Sequence, residues 1–262
     1  MKILRTISEL RGALSPDART GLVPTMGAFH EGHLSLFRAA RDECDVVVVS
    51  LFVNPTQFGP HEDLTRYPRD EERDAKLAET AGVDLLFVPD ERELYPEGFA
   101  TWVEIEDTGS EGKARPGHFR GVATICLKLF NIVHPQVAYF GQKDARQTAL
   151  LRRMLRDLDV DLELRVLPTV RDADGLALSS RNAYLSHEER RRALALPHAL
   201  EAGRSAQVEG SDPVAAARAA LNGLVPDYVE VVDLGGATVL AAAARIGSTR
   251  LIDNVVLEGE LT

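Results

Sequence analysis

Residues 24–33 read PTMGAFHEGH. A short apolar run at 21–23 precedes them, and an amphipathic run at 34–44 follows. The pattern is a strand, a tight turn carrying Gly27 and a helix start. The first turn of a helix leaves N–H groups unpaired and holds the positive end of the helix dipole, which makes it a natural phosphate site. His30 and His33 are three apart, and residues so spaced share a helix face. Both rings can therefore point at one bound anion. Two surface histidines or half of a metal site are the alternatives. A structural zinc site wants four Cys or His ligands, and neither cysteine stands at a suitable spacing.

Working outward, residues 45–53 (DVVVVSLFV) form a nearly continuous β-branched run, as in a parallel strand covered on both faces. Asn54-Pro55 ends it with a turn signal. An irregular polar stretch (59–70), a charged helix (69–81) and a strand (83–88) follow. A strand at 101–105, a loop at 106–117 and an apolar helix at 122–133 are expected next. Then come a strand (136–140), a basic helix (143–157) and a strand (162–167). Upstream, residues 1–20 read as a short strand or turn and a helix. This alternation predicts βαβ units and an α/β fold with a parallel sheet, whose ligands bind beyond the C-terminal strand ends. Composition shifts after about residue 170. Ser186 and Glu189 form a capping box for a long helix at 186–206, and another helix is expected at 213–224. Alanine propensity favours helix for VLAAAARIG (239–247). The expected organisation is a parallel-sheet domain at 1–169 and a smaller α+β C-terminal domain at 170–262.

The chain has 262 residues, 45% hydrophobic and 27% charged, with a net charge of −10. That composition is ordinary for a globular protein. The negative charge argues against whole-surface attraction to nucleic acid or to an anionic membrane, so an anionic substrate needs a local basic patch. Cys44 and Cys126 lie in apolar runs and read as buried, reduced thiols. No apolar run approaches a membrane span, and the first residues lack the core of a signal peptide. The expectation is a cytoplasmic protein.

Four further motifs fall at strand ends or beside them. FGQKD (140–144) follows a strand; its glycine admits close approach of a ligand, and Lys143 can reach a phosphate as a point charge. Asp144 either caps the next helix or accepts from a ribose hydroxyl. GLALSSRN (175–182) concentrates hydroxyls and Arg181 in a loop suited to gripping a polyphosphate. FVNPTQF (52–58) places Gln57 beside apolar walls, as in a small-molecule pocket. ARPGHFRGV (114–122) groups Arg115, His118 and Arg120 into a basic cluster.

In order along the chain, PTMGAFHEGH, VVVSLFVNPTQF, RYPRD, RPGHFRGV, VAYFGQKD, DGLALSSRN and RLIDN resemble the pantoate–β-alanine ligases (pantothenate synthetases) of vitamin B5 and coenzyme A biosynthesis. His30 and His33 resemble the H-x-G-H signature of the wider nucleotidylyltransferase superfamily. LSSR (178–181) stands in place of its mobile lysine-rich loop, so Arg181 and Lys143 must supply the charge. Thr56 stands where the family's pattern has Met.

The resemblance implies a Rossmann-like ATP domain, a strand-rich tail and a homodimer. It implies ATP-dependent joining of pantoate to β-alanine through a pantoyl adenylate, with Mg²⁺ at the phosphates and no dedicated protein metal site. His33, His30, Lys143 and Arg181 are the implied catalytic residues. Met26, Gly27, Ala28, Phe29, His30, Glu31, Gly32 and His33 line the ATP phosphates. Gly141, Gln142, Lys143 and Asp144 hold ribose and phosphate, Val170 borders adenine, and Leu178, Ser179, Ser180 and Arg181 close over the triphosphate. Gln57 and Gln147 bind pantoate. The rival readings are an adenylyltransferase of the same fold and a nucleotide sensor without catalysis. Two glutamines suit hydroxyls and a carboxylate better than a phosphate, which speaks against the first. The presence of His33, Lys143 and Arg181 speaks against the second.

Overall fold

The structure, a computed structural model, describes residues 1–107, 109–234 and 236–260. Two compact units are present. One comprises Met1–Thr108, Arg115–Phe140 and Leu150–Arg165, the other Gly109–Ala114, Gly141–Ala149 and Val166–Thr262. The expected single cut near residue 170 is thus replaced by an interleaved division. The reason is local. The side chain of Asn254 bonds the carbonyls of Gln142 and Lys143 at 2.9 and 3.0 Å, and Arg250 grips Glu111 with two bonds of 2.9 and 2.6 Å. Both early segments are therefore fastened to the C-terminal part of the chain.

In chain order the elements begin with β1 (Lys2–Leu4), α1 (Ile7–Ala13), β2 (Thr20–Thr25), α2 (Glu31–Glu43), β3 (Val46–Leu51), α3 (Glu71–Thr80), β4 (Leu85–Phe87) and α4 (Glu91–Leu94). They continue with α5 (Ser110–Ala114), α6 (His118–Val133), β5 (Val137–Gly141), α7 (Ala145–Asp157) and β6 (Glu163–Leu167). The strands form a six-stranded parallel sheet in the order β1-β4-β3-β2-β5-β6. Val47, Val48 and Val49 of β3 are fully buried, as their unbroken apolar run predicts. The order reverses at β2, whose carboxyl end opens into PTMGAFHEGH; such a reversal is where ligands bind in open α/β sheets.

Two expectations in this region fail. Residues 101–105 form no strand, because the Val103 N–H donates to Thr124 Oγ1 of α6 at 3.0 Å and the segment follows that helix. The expected loop at 106–117 contains α5, which Arg250 stabilises through Glu111, while Ser110 Oγ donates to Glu230 at 2.7 Å. Within that stretch Thr108 lies outside the described residues.

The second unit adds α8 (His187–Ala193), α9 (Ala195–Val208), α10 (Pro213–Ala220), β7 (Pro226–Asp233), β8 (Ala237–Ile246) and β9 (Thr249–Gly259). The three strands pair antiparallel in the order β7-β8-β9. The Ser186–Glu189 capping box is present. The single helix expected at 186–206 is broken at Leu194, because Pro197 has no N–H to return to the Ala193 carbonyl. VLAAAARIG lies in β8 rather than in a helix, in line with the strand-rich tail that the resemblance implies. Its alanines are buried in the middle strand, Ala242 and Ala244 in one apolar cluster and Ala241 and Ala243 in another. Packing on both faces overrides propensity there.

Cys44 and Cys126 are free and buried, and burial pushes the Cys126 thiol up to about 12. Among the described residues no helix is long and apolar enough to cross a membrane.

Candidate functional site

In the first unit the turn after β2 runs through two left-handed residues, Gly27 (φ 85°) and Ala28 (φ 53°). An alanine in that region costs roughly 1 kcal/mol. Asp74 of α3 offsets it. Its buried carboxylate accepts the N–H groups of Ala28 and Phe29 at 2.7 and 2.8 Å. Burial raises the Asp74 carboxyl above its ordinary range, and those two donors, with Arg73, pull the other way. A side chain on Gly27 would press on the same carboxylate. Phe29 is fully buried and meets Phe37 edge-on. Ala28 and Phe29 therefore anchor the turn and have no free N–H to offer an anion.

His30 caps α2 at its N-terminus and His33 sits at the third helical position. Their ring centroids are 4.2 Å apart, as the spacing predicts. The His30 N–H donates to His33 Nδ1 at 3.4 Å, which leaves the proton of a neutral His33 ring on Nε2. Gly32 lies in the first turn of α2, while Glu31 faces solvent and pairs with Arg38.

The second motif meets the first within this unit. Residues Pro55–Gln57 form a 3₁₀ turn, and Gln57 Nε2 lies 3.2 Å from Met26 Sδ. Buried Asn54 donates to Gln57 Oε1 at 3.0 Å and to the Gly121 carbonyl at 3.1 Å. Gly121 lets α6 touch this turn: a Cβ there would lie 2.5 Å from the Thr56 carbonyl oxygen.

The basic cluster expected at 114–122 is committed to internal partners. Arg115 holds Glu62 with two bonds of 2.8 and 2.7 Å. His118 Nδ1 donates to the Gln57 carbonyl at 2.8 Å, and its Nε2 faces Arg115 at 2.9 Å. Arg120 lies over the Trp102 ring. The cluster braces the backbone of Gln57.

Burial raises the Glu62 carboxyl, but the hydrogen bonds and charge of Arg115 outweigh it and bring it from 4.5 down to about 2. The folded state therefore favours the carboxylate. This stabilisation is fully present above about pH 4.5 and is lost as pH falls towards 2, with an upper limit of about 3 kcal/mol. Glu62→Gln should lower the urea midpoint at about pH 7, with less than about half that loss in free energy at about pH 3. Equal losses at both values would exclude the ion pair as the cause.

In the second unit Gln142–Asp144 form a 3₁₀ turn after β5. The space beside Gly141 is open, since a Cβ there would meet nothing within 4 Å. Gln142 is buried and donates to Asn254 Oδ1 at 2.9 Å, so its side chain is taken up by the fold. Lys143 Nζ lies 3.6 Å from the Asp144 carboxylate. Gln147 is half-buried on the first turn of α7.

The Leu178 N–H donates to the Val170 carbonyl at 3.0 Å, and Arg171 bridges to Ala177, which brings Val170 and Leu178 side by side. Ser179 Oγ accepts the Arg181 N–H at 3.3 Å and opens the 3₁₀ turn Ser180–Tyr184. The expected grip loop is thus the arm of a small hairpin. Its base is held by Arg171, bidentate to Asp253 at 2.7 and 3.0 Å, and by Arg190, bonded to Asp172 and Asp174.

Asp74, Asn54, Arg171 and Asn254, which hold the site residues in place, escape a reading of the sequence. Asp74 is one acidic residue among several in a charged helix, and nothing in its neighbourhood marks it. Asn54 reads as a turn signal and Asn254 as part of a tail motif.

The family model for pantoate–β-alanine ligase matches residues 2–256. The chain belongs to the pantoate–β-alanine ligase family. A pantothenate synthetase of Acidobacterium capsulatum is 54% identical over 267 residues, covering 95% of this chain and 89% of that protein. The crystal structure of pantothenate synthetase from Thermus thermophilus matches with a TM-score of 0.93 at 47% identity, over 98% of this chain and 99% of that one. Pantoate–β-alanine ligase from Francisella tularensis, solved in complex with β-γ ATP and β-alanine, matches with a TM-score of 0.84 at 35% identity over the full length of both chains. A ligase family built on this parallel sheet is what PTMGAFHEGH and its partner motifs imply.

Proposed function

We propose that the protein condenses (R)-pantoate with β-alanine at the expense of ATP, giving pantothenate, AMP and pyrophosphate. The observation that carries the reading is the meeting of Met26 and Gln57. It brings a donor suited to a hydroxyl or carboxylate to the turn that leads into the paired histidines of a helix N-terminus.

A carboxylate and an amine do not condense at neutral pH, because a carboxylate oxygen leaves poorly. In the first step the pantoate carboxylate attacks the α-phosphate and pyrophosphate leaves. The amine of β-alanine then attacks the acyl carbon of the adenylate and AMP leaves. With a carboxyl pKa of about 4 the first nucleophile is already ionised, so the site needs alignment and charge neutralisation rather than a base. His33 and His30, with the N-terminus of α2, supply donors for the phosphates. Lys143, Ser179, Ser180 and Arg181 supply further donors and cations. Gly141 gives the nucleotide close access to backbone, Asp144 faces its ribose, and Val170 and Leu178 border its base. Gln57 and Gln147 bind pantoate.

Mg²⁺ belongs to this reading, and its contribution is neutralisation of phosphate charge. Among the described residues no three His, Cys, Asp or Glu side chains converge on a metal position. Mg²⁺ bound to ATP keeps water and phosphate oxygens as ligands and needs no such cluster. A homodimer and a cytoplasmic location complete the proposal, supported by the family resemblance and by the use of ATP.

Incubation with ATP, Mg²⁺, pantoate and β-alanine should yield equimolar AMP and pantothenate. Transfer of AMP to another acceptor, with none formed from pantoate, would replace this reading with that of an adenylyltransferase.

A further inference from the structure

The hydrogen bonds behind Gln57 have a direction that two backbone groups fix. The Thr56 N–H can only donate, and it reaches Asn54 Oδ1 at 3.3 Å. The Gly121 carbonyl can only accept, and Asn54 Nδ2 reaches it at 3.1 Å. The carboxamide of Asn54 therefore has one orientation. Its Nδ2 must also donate to the atom of Gln57 that faces it at 3.0 Å, which makes that atom Oε1. The NH₂ of Gln57 is left pointing the other way, 3.2 Å from Met26 Sδ, a weak acceptor.

Two hydroxyls strengthen the arrangement. Thr56 Oγ1 and the Tyr95 OH each lie 2.9 Å from Asn54 Oδ1, and they are 3.3 Å from one another. Burial raises the Tyr95 phenol further above neutrality, so it remains a donor throughout the working range. A phenylalanine at 95 and an apolar residue at 56 would leave a buried amide oxygen with the Thr56 N–H alone, at a longer distance.

We infer that Tyr95 and Thr56 are positioning residues for substrate recognition: through Asn54 they hold Gln57 with its NH₂ toward the acid substrate, so that Gln57 reads an acceptor oxygen there. This rests on the proposed role of Gln57 as a pantoate contact. It goes further by fixing which end of the amide meets the ligand and which residues enforce that. Thr56 then contributes a hydroxyl that a methionine at this position would lack.

Two sets of variants test it. In Tyr95→Phe combined with Thr56→Val, the KM for pantoate should rise about 10-fold, the effect of a weakened hydrogen bond, while the KM for ATP stays close to the parent and the thermal midpoint falls by a few degrees at most. In Gln57→Glu the Asn54 bond survives and the donor is lost. The KM for pantoate should then rise by about 100-fold at about pH 8 and recover in part at about pH 5.5, where protonation restores an O–H donor. Three results would overturn the inference: unchanged pantoate KM in both variants, an equal rise in both KM values with a fall in thermal midpoint, or a Gln57→Glu defect insensitive to pH. A parent protein that forms no pantothenate would instead refute the proposed function.

Discussion

Lys143→Ala is expected to cut pantoate-dependent pyrophosphate release by at least about 100-fold, the scale of losing one donor aimed at developing charge. The lysine's ammonium and its backbone have separate tasks. The Gln142–Asp144 turn is tied down by the Lys143 carbonyl, which Asn254 bonds at 3.0 Å, and by the buried side chain of Gln142. Alanine keeps both ties. The ammonium is largely covered and lies 3.6 Å from the neighbouring, half-exposed Asp144 carboxylate, and a pair open to solvent on one side contributes little to stability. Activity should therefore collapse while the thermal midpoint stays in place. Near-normal pyrophosphate release would remove Lys143 from the chemistry, and a matching loss of stability would make it a structural residue.

Arg171→Met should act in the opposite sense, through the fold. Asp253 is almost wholly buried, and Arg171 supplies two of its hydrogen bonds. Burial raises the Asp253 carboxyl, and the hydrogen bonds and charge of Arg171 work against that. Removing one partner of such a pair typically costs about 3–5 kcal/mol, because a buried charge is left uncompensated. For a chain of this size that corresponds to a fall in thermal midpoint of roughly 6–20 °C. Calorimetry measures it. A shift under about 2 °C would mean that water or a neighbour replaces the guanidinium.

The contrast between these substitutions marks how far the sequence could be read. The parallel sheet was legible because β3 is an unbroken apolar run and β2 leads straight into a glycine turn and a helix. The paired histidines were legible because helical spacing alone brings them together. Gln57 beside Met26 was not, since no periodicity links residues in two separate turns. Asp74, Asn54 and Arg171 were invisible for a related reason. Each acts through hydrogen bonds to a distant backbone or side-chain group, and its own neighbours in sequence give no sign of them. Helix propensity misled at 239–247, where small side chains serve a strand buried on both faces. Pro197 marks the break between α8 and α9. The ARPGHFRGV cluster shows the limit of charge counting: the sequence gathers the cations but does not display their carboxylate and carbonyl partners.

Asn254 and Asp253 are consecutive residues of β9. One holds the turn that carries Lys143, and the other holds the hairpin that carries Ser179 and Arg181. The two loops therefore share a footing in a single strand and should open as one cooperative unit. Their amides would then exchange hydrogen with solvent at a common free energy. Anything that steadies one loop slows exchange in the other, so the two segments gain or lose order together.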